Sequence, residues 1–534
     1  MEYAKRIIDE RFIVNLFRNL YKQKKVPVVA EHVMADMLIN DRKGNNIVLE
    51  NFEHNPTSIS ESIQIGFFYN ETFYSFTSTK IIKDSVYHLE KPQEIYATYK
   101  RQLNRYIVKD IDNIRLRIAG HVKEFNVKDI SIKGLSFESD TMYEVGSIID
   151  NIEMTLEDSQ TIFLDAVVKY RNSATSDKTY IYGLSFTDID WFSIRTLFLF
   201  IFKNSYPNVK SLTEFDKESI RKLFEAYLVK LPDAIGRKRF DDMIVTMNHI
   251  KSNQEISASL VYVKDDNLLL STASALRIYN RTFLGHQLVA VPQSATNIRS
   301  RADIYYGLAD YTINNKYFEY YISYYVTLLS WHDLMFQSIE NYISDKKKFL
   351  ISKIQFYTYS TELNPKYQNH NYNIELMNDP DDFLEYCKKH MESLEIEAYS
   401  YNNDFYLEEI KQVYEATGLF ISRKLWCVKC NGSVCAYIVG ECSSNGLNLF
   451  NLMDMVRFIF IDPESMNKQE IIDVSLEQIV QYYRRYNKDS FSLVLQGENT
   501  DINIEGLIPN QSWARVIMNK DGGIEYKKLI KLLL

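Results

Sequence analysis

Between residues 9 and 22 the apolar side chains Phe12, Ile13, Leu16, Phe17 and Leu20 recur at helical spacing and share one face. Asp9 and Glu10 suit a first turn, so the pattern predicts an amphipathic helix. From Val26 to about Thr79 the period drops to two, in VPVVAEHVM, NNIVLENF, SIQIGFFYN and TFYSFTST. Turn signals stand at Lys43-Gly44-Asn45 and Asn70-Glu71, and the segment 1–95 reads as a small antiparallel β domain. A second series of evenly spaced strands follows: NIRLRIAG, DISIKGLSF, GSIIDNIEMTL, TIFLDAVVKYRN and TYIYGLSFTD. Such spacing predicts a β-barrel over 96–205. The run Trp191–Phe202 predicts a buried helix closing it; its 12 residues include Arg195 and are too few to span a bilayer.

Pro207 and the polar stretch 211–219 predict a linker, with Thr213 or Asp216 as a helix cap. Beyond it helical and strand periods alternate. Residues 216–230 read as helix, 258–276 as a hairpin about Lys264-Asp265-Asp266-Asn267, 286–291 as strand, 301–315 as helix and 316–326 as strand. The order then recurs: helix 407–418, hairpin 425–440 about Asn431-Gly432, strand 453–461, helix 469–487, strand 490–496. The duplication rests on element order alone and predicts two further domains, 215–350 and 370–534. The fold class expected is multidomain α+β.

Composition narrows the partners. Lys+Arg total 62 against Asp+Glu 70, a net charge of −8, which suits duplex nucleic acid poorly but permits a local cationic pocket for a small anion. Aromatic residues reach 14% with only 17 glycines, which favours long packed elements over glycine-rich phosphate cradles. Five cysteines, four of them within 427–442, do not make a secreted disulfide framework. The N-terminus lacks an apolar signal core. The expectation is a cytoplasmic protein without a transmembrane segment.

The chemistry concentrates in two motifs. Lys100-Arg101-Gln102-Leu103-Asn104-Arg105 holds an R-x-x-x-R pair, and Asp129-Ile130-Ser131-Ile132-Lys133-Gly134 holds a D-x-S-x-x-G set at a strand entry. A guanidinium pairs bidentately with phosphate or with guanine O6 and N7, and stacks on a purine face. A carboxylate such as Asp129 accepts from guanine N1–H and the exocyclic amine, Ser131 serves either edge, and Gly134 permits close approach. A lone R-x-x-x-R is ordinarily a solvated helix face and a lone D-x-S-x-x-G a turn. Both in this order, leading into a barrel, resemble the PilZ family of bacterial receptors for cyclic di-GMP. The resemblance covers about 96–200, with Tyr182-Gly183-Leu184-Ser185-Phe186 similar to that family's closing strand. It implies cyclic di-GMP as ligand, held by Lys100, Arg101, Arg105, Asp129, Ser131 and Gly134. The first 95 residues resemble the N-terminal domain of flagellar-brake-type PilZ proteins, in which the arginine linker hinges two domains.

The repeated half resembles a tandem of GNAT acyltransferase folds, whose active members hold acyl-CoA where a central strand splays from its neighbour. Their Q/R-x-x-G-x-G/A loop presents backbone N–H groups to pyrophosphate. This chain departs from it. The second copy has Asp462-Pro463-Glu464-Ser465-Met466-Asn467, without glycine and with acids that repel phosphate. The first copy has Pro292–Arg301, also without glycine, where Arg299 and Arg301 are the residues available to CoA. The plain alternative is two arginines on an exposed helix start. His286, His332 and Glu319 are conceivable proton carriers; none is assigned as catalytic. Two output classes stay open: a noncatalytic module that binds a protein of motility, surface or envelope machinery, or an acyltransferase using acetyl-CoA or acyl-CoA. No resident cofactor is required. Cys427, Cys430, Cys435 and Cys442 include one C-x-x-C, but they fall on paired strands and read as buried thiols rather than a zinc site. The Tyr-rich strand 317–326 and the cationic, apolar 527–534 read as packed elements.

Overall fold

The structure, a computed structural model, describes residues 4–22, 25–30, 33–40, 47–50, 62–69, 72–83, 86–99, 106–109, 114–121, 123–156, 160–173, 179–228, 233–250, 253, 255–264, 268–290, 296–326, 345–365, 371–447, 451–461, 467–496 and 502–533. The chain is α+β and divides into two compact units. One comprises Ala97–Val209 with Met1–Ala4 and Phe68–Phe73; the other comprises Lys5–Phe67, Tyr74–Tyr96 and Lys210–Leu534. Among the described residues no helix is long and apolar enough to cross a membrane.

In the N-terminal part, strand Thr72–Lys83 pairs with both Ser62–Tyr69 and Val86–Leu89, so six strands close into a ring. Helix Glu10–Tyr21 plugs it with the five apolar residues read from the pattern, all about 1% exposed or less. Asp9 caps that helix, its carboxylate accepting from the Phe12 amide at 2.6 Å.

The sheet within Ala97–Val209 has seven strands, in the order Arg115–Ile118, Ile148–Thr155, Thr161–Ser173, Tyr180–Asp188, Gly134–Ser139, Asn126–Ser131 and Tyr106–Ile107. It curls until the Phe125 amide donates to the Leu116 carbonyl at 2.9 Å, nearly closing the wall. Helix Trp191–Ser205, capped by Asp190, contributes Leu197, Phe200 and Ile201 to the core.

The two C-terminal copies build one twelve-stranded sheet rather than two. Its order is Val209–Ser211, Ser257–Lys264, Leu268–Tyr279, Thr282–Ala290, Tyr320–Val326, Leu507–Asn519, Phe349–Ser360, Ser490–Gln496, Met455–Phe460, Ser433–Ser443, Ile421–Cys430 and Tyr372–Met377. The last strand of the chain therefore completes the first copy, and Phe349–Ser360 pairs with Ser490–Gln496 of the second. Phe349–Ser360 straddles the limit expected at residue 350. The Asp216 carboxylate accepts from the Glu218 and Ser219 amides at 3.0 and 2.9 Å, capping helix Lys217–Leu228.

Candidate functional site

Side chains alternate across a strand, so the buried residues of the seven-stranded wall define its outer face. Ile130, Leu135, Phe137, Val168, Tyr182 and Leu184 fill the interior. Asp129, Ser131, Gly134, Ser136, Gly183, Ser185 and Tyr170 consequently share the opposite face, where Ser131 and Ser136 are themselves buried. Register sets them in two rows. The first runs Ile107, Asp129, Ser136, Gly183, Tyr170, and the second runs Ser131, Gly134, Ser185, Val167. The D-x-S-x-x-G set thus lies at one end of a floor of small residues. Ile107, 75% exposed, flanks Asp129.

Two motif residues already have structural work in this chain. The Ser131 hydroxyl donates to the Gly134 carbonyl at 3.0 Å across the hairpin turn. A Cβ on Gly134 would overlap the Leu184 carbonyl oxygen, so only glycine lets the two strands approach. Gly183 is required in the same way, because the Tyr170 ring lies over it. Lys100, Arg101 and Arg105 lie outside the described residues. The chain that carries them enters the sheet at Tyr106, which pairs with Ile130, next to Ser131. Period-two counting from Gly134 reaches Ser136, and Gly183 and Ser185 stand in the closing-strand motif; nothing in the sequence marked Tyr170 or Ile107 as neighbours of Asp129.

A second site class arises where parallel strands part. In the first copy Thr282–Gly285 pair with Tyr320–Ser323 and pairing then stops. In the second, Met455–Arg457 pair with Ser492–Val494 and pairing stops. The first fork ends on small residues, Gly285 and Ser323. The Tyr321 hydroxyl lies where a Gly285 side chain would stand, and the buried Ser323 Oγ has no hydrogen-bond partner among the described residues. On the other strand His286 is buried, and burial pushes its pKa down to about 3.

The second fork ends on Arg457. Its Nη2 lies 2.7 Å from Glu441 Oε2, its Nε donates to Tyr401 Oη at 3.0 Å, and its guanidinium lies 4.2 Å from the Tyr399 ring centroid. Glu441 also takes Arg423 Nη2 at 2.6 Å and the Tyr279 hydroxyl at 2.7 Å. Burial opposes ionisation of Glu441, but Arg457 and Arg423 outweigh it and hold the carboxyl below its ordinary range. Tyr279 belongs to the first copy, so this network stitches the copies together. Arg515, on the last strand, adds a 2.5 Å pair to Glu395.

No family model matches this chain, and no curated protein matches it. Solved structures do. The K. pneumonia MrkH–c-di-GMP complex is 15% identical with a TM-score of 0.29, over 38% of this chain and 96% of that one. YcgR with c-di-GMP from Escherichia coli is 13% identical with a TM-score of 0.30, over 38% and 92%. A GCN5-related N-acetyltransferase from Sphaerobacter thermophilus is 10% identical with a TM-score of 0.35, over 58% and 95%. With these TM-scores below 0.5, the likeness carries no functional argument, and residues and topology must carry it.

Arg299 and Arg301 occupy the first turns of helix Thr296–Ile313, and their side chains lie outside the described residues. In the second copy Asp462–Met466 lie outside them too, while Asn467 caps helix Lys468–Arg485 by accepting from the Glu470 amide at 3.2 Å. Glu319 pairs with Arg281 at 2.7 Å, beside Thr282, whereas His286 lies beyond Gly285 at the other end of the parallel pairing. That is roughly 13 Å of strand, so these two proton carriers do not form a dyad. His332 lies outside the described residues. Cys427 packs on one face of the sheet and Cys435 and Cys442 on the other. Among the described residues no group of three or more His, Cys, Asp or Glu converges as metal ligands.

Proposed function

We propose that the chain is a cytoplasmic cyclic di-GMP receptor with a PilZ-type barrel over 96–205. The observation that carries this reading is the shared outer face of Asp129, Ser131 and Gly134, beside the point where the chain of the R-x-x-x-R segment joins the sheet. In this reading Lys100, Arg101 and Arg105 take phosphate and guanine edges, Asp129 takes the guanine N1–H and amine, and the small floor admits the flat bases. The GNAT-like half is the output, acting on a protein of motility, surface or envelope machinery. Calorimetry on the full chain tests the receptor. Micromolar-or-tighter binding, lost in Arg101→Ala and Arg105→Ala, is expected; an absence of heat with the wild type refutes it.

A second reading for the output is an acyl-CoA-dependent N-acyltransferase, favoured by the small residues at the first fork and by the buried Ser323 hydroxyl, which has no partner among the described residues. Arg299 and Arg301 would meet CoA phosphate at the helix start. A melting-temperature rise with acetyl-CoA supports it, and no rise across several acyl-CoAs leaves the interaction role.

A further inference from the structure

Helix Lys520–Leu533 follows the interleaved strand Leu507–Asn519 and packs against two other helices. One is Thr296–Ile313, the helix that opens after the first fork. The other is Glu10–Tyr21, the plug of the N-terminal ring. All three belong to one compact unit.

Its sequence is costly for a helix. Gly522 and Gly523 fall in the first turns, at roughly 1 kcal/mol each relative to alanine. The packing accounts for the first of them: a Cβ on Gly522 would overlap the Lys348 carbonyl, whereas one on Gly523 would make ordinary contacts with Met518, Ile313 and Phe318. The Asn519 side chain accepts from the Gly522 amide at 2.9 Å and caps the helix. Further along, Tyr526 stacks on Phe349 with centroids 6.3 Å apart, Glu525 pairs with Lys348 at 2.9 Å, and Lys527 pairs with Asp310 of helix Thr296–Ile313. The Lys527 and Asp310 side chains are only 12% and 17% exposed, so this pair is better shielded than an ordinary surface bridge.

We infer that the C-terminal helix is a mechanical link through which movement of the N-terminal plug helix reaches the helix opening at Thr296, with the Lys527–Asp310 pair as its far anchor. The link needs no ligand; only its use by cyclic di-GMP rests on the receptor reading.

Hydrogen–deuterium exchange on the ligand-free full chain tests it. Leu16→Ala loosens the plug from within the ring. Exchange is expected to rise roughly tenfold in 10–21, 520–533 and 296–313, while Lys468–Arg485 stays protected. Phe17→Leu, a milder change, is expected to do the same in smaller degree and guards against a variant that unfolds. Adding Lys527→Ala should keep the rise in 10–21 and abolish it in 296–313, and the reversed pair Asp310→Lys with Lys527→Asp should restore it. Helix 296–313 unmoved by both plug variants, or equally moved with Lys527→Ala, overturns the link. Calorimetry with cyclic di-GMP is a separate measurement, so failure of the receptor and failure of the link are told apart.

Discussion

The two C-terminal copies share an element order and a parallel strand pair that parts after three or four residues, yet they end their forks oppositely. The first stops at Gly285 and Ser323; the second stops at Arg457, held by Glu441, Tyr399 and Tyr401. A fork is a break in backbone hydrogen bonding, and the exposed peptide groups and space must be dealt with. The second copy deals with it by burying an ionised network that borrows Tyr279 from the first. The first leaves small side chains and a hydroxyl without a partner among the described residues. Duplicated topology therefore does not duplicate the side chains at the fork.

The largest effect should come from the second fork. Arg457→Ala leaves Glu441 buried with one fewer cation and should cost about 3–5 kcal/mol by denaturant titration. A cost under about 1 kcal/mol would mean the network does not lock that fork.

Acid should separate the forks next. His286 has a folded pKa of about 3 against about 6.5 unfolded. Its contribution is complete above about pH 6.5 and is lost as pH drops toward 3, the folding equilibrium constant falling about tenfold per pH unit. Glu441, held below its ordinary range, withdraws its contribution only below about pH 4.5. Local exchange at pH 5 should loosen strand Thr282–Ala290 before strand Ser433–Ser443, and His286→Leu should flatten the first response. Simultaneous loosening would break the distinction.

Packing at the first fork gives a smaller effect. Gly285→Ala must displace the Tyr321 hydroxyl and should cost about 1–3 kcal/mol. Tyr321→Ala should relieve most of that penalty in a double-mutant cycle; additive costs would place the strain elsewhere. The smallest change is Ser323→Ala, which removes a buried hydroxyl without a partner among the described residues and should alter stability by no more than about 0.5 kcal/mol, or raise it.

Local patterns were legible because their causes are local. The plug face of Phe12 to Leu20, the Asp216 cap and the Asn431-Gly432 turn, with both residues at positive φ, follow from spacing and side-chain chemistry within a few residues. The interleaving of Phe349–Ser360 and Leu507–Asn519 did not, because it pairs segments some 150 residues apart and no local period encodes a partner. Helix Asp233–Ile250 is an intermediate case: Phe240, Met243, Met247 and Ile250 stand at helical spacing, but charged neighbours mask the stripe. At the candidate site the motif marked Asp129, Ser131 and Gly134. Their fellow occupants of the outer face, from Ser136 to Tyr170, emerge only once strand register is known.

The receptor claim is tested most directly by equilibrium dialysis of labelled cyclic di-GMP against the full chain, with unlabelled cyclic di-GMP and cyclic di-AMP as competitors. Saturable retention displaced by the guanine dinucleotide but not the adenine one, with that preference lost in Asp129→Ala, is predicted. No saturable retention, or equal displacement by both, would contradict it.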